Sequence, residues 1–424
     1  MVNFTLAKAG RSGASIDVPI QAAFVPAVEP GPFSWRVFCG STSAGGLSNL
    51  AAKPGVVVKR NIDPTINDIE FAVTDAYRER GFAVPTVQKI DDTTLELQRI
   101  DGLTFAEELF YDCHANPAGV ADRLVDTYHL ARAMNSELAA ILTSEQKDYL
   151  LERQKLKLLY EGVSEEDVAR RPLTARVEAR AGKLNGVNID PTVFKTLTAL
   201  EEVLSPLTAK YAAWSLESNG NNFIGDTRID MNGIYHGVDD DSFLLDTPYM
   251  LSDRFWIRRR DEPHLSEYRW MEETKDRLVG SLASQQGEDQ LERRKLFQGS
   301  RVFRNILQLF YAYNNAVGRK EGAEKGDPLA QSKLYQHINE MFAHYEMQDT
   351  GLNSVLLYYQ DDASPAAHVF RDTAESFRSA LEDMMRQMCA TILPDSGRLG
   401  EYAGSFTFIR ENYKELKQNS PREI

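Results

Sequence analysis

The stretch Trp214-Ser-Leu-Glu217-Ser-Asn-Gly-Asn-Asn222-Phe-Ile224, followed after a turn by Gly237-Val-Asp239-Asp-Asp241-Ser-Phe243, decides how this chain is read. It offers a carboxylate, then a carboxamide, then three successive carboxylates, beside two short apolar runs, Asn222-Phe-Ile-Gly225 and Gly233-Ile-Tyr-His-Gly-Val238. Oxygen ligands of this kind at neighbouring strand ends suit a divalent cation carrying phosphates, and a carboxylate beside them can orient an attacking hydroxyl. Asp226 to Gly233 reads as the turn of a hairpin that pairs the two runs. That pairing would bring Asp239 beside Asn222 on one cation, leave Asp240 or Asp241 for a second ion, and turn Glu217 toward an acceptor. An acidic turn without a ligand is the other reading of Asp239 to Asp241.

Working outward toward the N-terminus, Gly55-Val-Val-Val-Lys59 is a β-branched run that ends in a lysine. The segment Ile66 to Arg80 has Ile69, Ala72 and Ala76 at helical spacing and stops at Gly81, as a capped helix does. Glu70, early in that helix, is the natural partner for the Lys59 ammonium. Upstream, Gly40-Ser-Thr-Ser-Ala-Gly-Gly46 is a small-residue loop, in which Gly40, Ser41, Ser43, Gly45 and Gly46 let backbone N–H groups approach an anion closely. It fits neither G-x-G-x-x-G nor the P-loop pattern, so an ordinary turn competes with a phosphate loop. Two further strands are expected at Val84–Val87 and Thr94–Gln98, with Asp91-Asp-Thr-Thr94 as the turn between them.

Residues 1–32, rich in Ala, Gly, Pro and Val, read as an arm and linker, and 33–101 as a β-rich lobe. Residues 102–290 read as a helical lobe carrying the quoted loop and a helical insertion near 143–195, and 291–424 as a further helical region. Gly318 to Asp327 is expected to be an exposed loop, and Arg293-Arg-Lys295 a solvated helix face. A formal charge of −14 over 424 residues argues against a nucleic-acid surface, which should be basic. No apolar run approaches the ~20 residues that span a bilayer, and Met1 to Ile20 shows no basic segment leading into an apolar one. Three scattered cysteines (Cys39, Cys113, Cys389) make neither a disulfide framework nor a zinc site, so a reducing cytoplasmic setting is expected. H-E-x-x-H and G-x-S-x-G are both absent, which removes support for metalloprotease and α/β-hydrolase readings.

In this order the pieces resemble the aminoglycoside phosphotransferase and choline kinase family of the protein-kinase-like fold. Val56-Val-Val-Lys59 is similar to its lysine strand, Glu70 to its helix glutamate, and Gly81-Phe-Ala-Val-Pro-Thr-Val87 to its g-x-pvP-x-v segment. Leu95-Glu-Leu-Gln98-Arg-Ile100-Asp-Gly-Leu-Thr-Phe105 is similar to its hinge. The resemblance implies a bilobal α+β fold, with a small β-rich N-lobe, a large helical C-lobe and a helical C-terminal extension. It implies ATP and Mg2+ as cofactors, with adenine at the backbone of Gln98 to Ile100, phosphates at Lys59, and magnesium on Asn222, Asp239 and Asp241. Glu217 and Asp239 would be the catalytic pair. The partner implied is a small-molecule acceptor, cationic in the manner of an aminoglycoside or choline, with neither nucleic acid nor membrane; the C-terminal helices leave room for a protein partner.

The family loop reads H-G-D-x-H-x-x-N, whereas this chain has Ser215-Leu-Glu217-Ser-Asn219-Gly-Asn-Asn222. Glutamate in place of aspartate changes the reach by about 1.5 Å, and a misplacement of that order can slow a reaction ~100-fold. The altered loop therefore keeps open a nucleotide-binding pseudokinase or regulatory kinase-fold protein, and a kinase-fold enzyme that modifies a protein.

Overall fold

The computed structural model describes residues 48–53, 55–61, 63–102, 105, 117–218, 220–231, 233–238 and 289–392, with Ser284 and Gly287. The loop Gly40–Gly46 and the acidic run Asp239–Asp241 lie outside the described residues, as do the alternating, strand-like run Trp35-Arg-Val-Phe-Cys39 and most of residues 265–288, whose sequence pattern is helical. The chain divides into two units: one takes residues up to Phe105 together with Asn221–Gly233, and the other takes Ala106–Gly220 with the residues from Ile234 onward.

The first unit is built on a four-stranded antiparallel sheet in the order β1-β2-β4-β3. Its strands are β1 (Ser48–Lys53), β2 (Val56–Asn61), β3 (Val87–Asp91) and β4 (Thr94–Gln98). Gly55, at φ +77°, makes the tight turn from β1 into β2, and the Asp91 carboxylate accepts from the Thr93 N–H at 2.8 Å to close the turn between β3 and β4. The strand expected at Val84–Val87 starts only at Val87, because the preceding Val84-Pro85 pair favours an extended lead-in without a ladder donor at the proline.

Helix α1 (Pro64–Glu79) crosses from β2 to β3. Proline at its first position and the Asp63 carboxylate, which accepts from the Thr65 N–H at 3.0 Å, set its start. Gly81, at φ +84°, follows its end. Ile66, Ile69, Val73 and Tyr77 form its buried apolar stripe; Asn67, Glu70 and Thr74 are buried alongside them. A small hairpin, β6 (Phe223–Ile224) with β7 (Thr227–Arg228), completes this unit. Gly102, at φ +145°, lies under it: a Cβ there would sit 2.8 Å from the Ile224 Cγ2.

The second unit is mainly helical: α2 (Pro117–Ile141), α3 (Ser144–Glu161), α4 (Glu165–Arg170), α5 (Pro172–Ala181), α6 (Pro191–Tyr211), α7 (Gln290–Glu324), α8 (Pro328–Tyr358) and α9 (Pro365–Ile392). Within the helical insertion read near 143–195, the helix is interrupted at Arg171, the residue before Pro172, where proline disfavours the helical backbone. Its strands β5 (Ala212–Leu216) and β8 (Ile234–Val238) pair antiparallel. The core gathers Leu197, Leu200 and Leu204 of α6, Phe303, Ile306 and Phe310 of α7, Met341 and Leu352 of α8, and Phe370 and Phe377 of α9.

Helix α7 has 35 residues, about 52 Å at 1.5 Å per residue. It runs through Gly318 and Gly322 rather than ending in the loop expected at 318–327. The reason lies in packing: a Cβ on Gly322 would come within 2.8 Å of the Ala330 Cβ, so α8 folds back onto the last turn of α7. Gly299 lies against the Leu204 side chain, and Gly351 brings α8 close to α7, where a Cβ would lie 3.2 Å from the Gln298 carbonyl. Arg293, expected on a solvated face, is buried with its guanidinium 5.8 Å from the Tyr211 ring centroid.

Candidate functional site

Residues alternate faces along a strand, and in β2 this buries Lys59 and Asn61 while Arg60 stays exposed. Both buried side chains meet the polar stripe of α1. The Lys59 Nζ donates to Glu70 Oε1 at 2.6 Å and to Asp230 Oδ1 at 2.8 Å. The Asn61 Nδ2 donates to Glu70 Oε2 at 3.2 Å and to Asn67 Oδ1 at 3.0 Å. Each oxygen of Glu70 is thus held from β2. Lys59 and Glu70 are 4% and 1% exposed, but the Asp230 side chain keeps 35% of its surface in solvent. The cluster is open on the Asp230 side.

Asp230 reaches this position through the small hairpin. Gly225, at φ +55°, and Asp226 form its two-residue turn, a composition suited to tight hairpins. The Ile229 N–H donates to the Asn222 carbonyl at 2.8 Å, so Asn222 and Asp230 emerge side by side at the base of the hairpin. Arg228, fully buried, fastens the arrangement. Its Nε donates to the Asp230 carbonyl at 3.0 Å, its guanidinium lies 5.0 Å from the Phe223 ring centroid, and its N–H reaches the Ala83 carbonyl at 3.1 Å.

Burial alone would lower the Lys59 pKa; the charges of Asp230 and then Glu70 more than reverse that and hold the ammonium above its ordinary value of 10.5. Burial pushes the Glu70 carboxyl above its ordinary 4.5, while the Lys59 ammonium opposes the rise and the Asp230 charge adds to it. With both carboxylates ionised, one ammonium serves two anions. A cation arriving at the solvent side of Asp230 would relieve that excess. Among the described residues no group of three or more His, Cys, Asp or Glu side chains forms a metal centre. Magnesium does not require one, since it keeps waters and binds through one or two carboxylates together with substrate phosphates. Asp230 and the Asn222 amide fit that chemistry.

The pairing expected to bring Asp239 beside Asn222 is not the one the chain makes. Asn222 leads into β6, which pairs with β7, whereas β8 pairs with β5 in the other unit. In that pairing Leu216 faces Ile234 and Ala212 faces Val238. Val238 therefore lies four residue steps, about 14 Å, along the strand from the end where β5 leads into Glu217. Asp239 and Asp241 themselves lie outside the described residues, as do Gly40, Ser41, Ser43, Gly45 and Gly46.

Glu217 follows β5 and is half-buried. The end of β5 is held by Asn135, whose Oδ1 accepts the Leu216 N–H at 3.0 Å, and the Ser218 hydroxyl turns back to the Leu216 carbonyl at 3.2 Å. His236 is a packing residue: its ring lies 5.1 Å from that of Trp214, and Gln154 clamps its backbone from α3 at 2.8 and 3.0 Å. Gln98 ends β4 with its N–H on the Thr86 carbonyl at 2.8 Å and its side chain accepting from the Thr86 N–H at 3.3 Å; Ile100 follows, half-buried.

Asp230 was missed in the sequence because Asp226 to Gly233 read as one long turn. The signal was Gly225-Asp226, a two-residue hairpin turn flanked by Phe223-Ile224 and Thr227-Arg228.

The chain is similar to aminoglycoside phosphotransferases. Among solved structures it matches the streptomycin-ATP-APH(2'')-IIa ternary complex at 14% identity and a TM-score of 0.34, over 72% of this chain and 94% of that one. It also matches aminoglycoside phosphotransferase APH(2'')-Ib with ADP bound, at 12% identity and a TM-score of 0.30, over 80% and 90% of the two chains. A third match, the gentamicin-APH(2'')-IIa complex, has 15% identity and a TM-score of 0.27, over 71% and 90%. No protein-family model matches the chain, and no curated protein matches it.

Proposed function

We propose that Lys59, Glu70 and Asp230 form the phosphate- and cation-handling part of a kinase-like site, and that the chain transfers a phosphoryl group from ATP to a hydroxyl of a small molecule. The observation that carries this reading is a buried lysine held between two carboxylates, of which only Asp230 opens to solvent. Glu70 alone would complete a buried ion pair with Lys59; Asp230 adds a second carboxylate on the solvent side, and that surplus negative charge suits a cation. In this reading Lys59 binds the phosphates, Glu70 fixes the ammonium, and Asp230 with Asn222 holds magnesium in the role expected of Asp239. Magnesium would supply charge neutralisation along the phosphates. Glu217 orients the acceptor hydroxyl and takes up the proton that it loses. Gln98 to Ile100 and the loop from Gly40 to Gly46 remain the sites proposed for adenine and for the phosphates. The two-lobed kinase arrangement and a cationic acceptor belong to the same proposal.

A nucleotide-binding protein without transfer is the second reading, favoured by Glu217 standing where the resembling family has aspartate and by the loss of both loop histidines. Titration calorimetry with Mg-ATP, followed by turnover on aminoglycoside, choline and sugar acceptors, separates the two. Binding with turnover supports the transferase; binding without turnover on any acceptor supports the second. No Mg-ATP binding by the wild type would sink both, and equal affinity in the wild type and in Asp230→Asn would remove Asp230 from the site.

A further inference from the structure

We infer that Asn61 and Asn67 are positioning residues that hold Glu70 in register with Lys59, an inference that rests on the nucleotide-site reading above. The two amides form a directional chain. The Asn61 Nδ2 has two N–H groups, and both are used, one on Glu70 Oε2 at 3.2 Å and one on Asn67 Oδ1 at 3.0 Å. The Asn67 Nδ2 in turn donates to the Asp91 carbonyl at 3.4 Å, in the turn between β3 and β4. The backbone N–H of Asn61 donates to the Thr93 carbonyl of that same turn at 2.8 Å. Besides Lys59, Glu70 is therefore tied to the sheet through Asn61, while Asn67 ties α1 to the turn between β3 and β4.

The geometry explains why these positions carry amides. Lys59 takes Oε1 and Asn61 takes Oε2, so the plane of the carboxylate is fixed and not merely its distance. Rotation of α1 about its axis would break the Asn61 and Asn67 bonds together with the Lys59 pair. An aspartate at 61 would set a second carboxylate against Glu70, and a leucine would leave Oε2 buried without a donor, which is strongly unfavourable for a charged group. The Thr74 hydroxyl, bonded to the Glu70 carbonyl at 2.7 Å, steadies the same face one turn on. The site is thereby preorganised: α1 is set in the rotation that presents Glu70 to Lys59 before any ligand arrives.

The test measures Mg-ATP dissociation constants by calorimetry, and Tm, for the full chain and for Asn61→Ala, Asn61→Thr and Asn67→Ala. Loss of one bond to a charged group predicts Mg-ATP binding weakened about tenfold in Asn61→Ala, with part of the loss recovered in Asn61→Thr, whose hydroxyl can still donate. Asn67→Ala, which keeps the Asn61 bond to Glu70 but frees its anchor, should weaken binding about threefold; it carries the comparison if Asn61→Ala does not fold. Wild-type affinity in all the folded variants, with only Tm lowered, would overturn the positioning role and leave the nucleotide reading intact. Failure of the wild type to bind Mg-ATP would instead remove the nucleotide reading itself, and this inference with it.

Discussion

Helices α1 and α9 bury one face at the same helical spacing and fill it with different chemistry. On α9 the buried residues are Ala367, Phe370, Ala374, Phe377, Ala380, Leu381, Met384, Met385, Met388, Cys389 and Ile392, with no charged side chain among them. On α1, Asn67, Glu70 and Thr74 are buried beside Ile66, Ile69, Val73 and Tyr77. The Cys389 thiol shows what the α9 surroundings do to an ionisable group: burial pushes its pKa up to about 12, which keeps it neutral. Glu70 tolerates burial because Lys59 and Asn61 each donate to one of its oxygens. On α9 apolar burial suffices, whereas the buried polar groups of α1 are stable only with their partners in place.

The comparison can be broken most directly at Lys59. Lys59→Met should weaken Mg-ATP binding by more than about 100-fold, on the scale of losing a principal phosphate contact. It should also cost about 3–5 kcal/mol of stability by leaving Glu70 buried beside no ammonium; calorimetry and urea unfolding read the two effects separately. Phe377→Ala in α9 should cost a similar ~3–5 kcal/mol through the cavity it opens, yet leave the affinity of the folded protein for Mg-ATP unchanged. If Phe377→Ala altered affinity as much as Lys59→Met, the contrast between α9 and the Lys59–Glu70 pair would be lost. Gly299→Ala presses a methyl group onto the Leu204 side chain and should cost about 1–3 kcal/mol, seen as a lower Tm with binding again intact.

The smallest effects separate the regions by pH. Lys59 has a folded pKa above its ordinary 10.5, so its stabilising contribution is fully present below pH 10.5 and is lost as pH rises through the folded value. Glu161 at the end of α3 behaves in the opposite sense. Burial would raise its pKa, but Arg176 at 2.6 Å and Arg180 at 3.1 Å draw it below its ordinary 4.5. Its contribution is present above pH 4.5 and is lost as pH falls through the folded value. Urea unfolding across pH should show Arg176→Ala converging with the wild type only in acid, and the difference made by Lys59→Met shrinking both in alkali, as Lys59 loses its proton, and in acid, as Glu70 gains one. A Lys59→Met difference that is unchanged in strong alkali, or an Arg176→Ala difference that persists in acid, would contradict the charge assignments.

What the sequence disclosed depended on element length. Lys59 and Glu70 could be placed on their elements because a β-branched run and a sixteen-residue helix each show several periods of their pattern, and their pairing is what the resemblance to a kinase-like site implies. Asp230 could not, since β6 and β7 have two residues each and a single alternation cannot be told from a turn. The partner of β8 was misread for a related reason: Ala212-Ala-Trp-Ser-Leu216 follows α6 without a break and has no β-branched residue to announce a strand. β1, Ser48-Asn-Leu-Ala-Ala-Lys53, was equally silent. The continuation of α7 through Gly318 and Gly322 was hidden because glycine weakens the local helical signal, while the fit against Ala330 that favours it is a tertiary fact.

Gly102 ties the evolutionary fates of two distant stretches of chain. Any side chain introduced there must lift the Ile224 methyl, and with it the loop that delivers Asn222 and Asp230, so substitutions at 102 would be tolerated only alongside a smaller residue at 224 and a relaxed backbone. In a library that randomises position 102, survivors selected for folding alone and survivors selected for ligand binding should therefore differ, the second set narrowing to glycine.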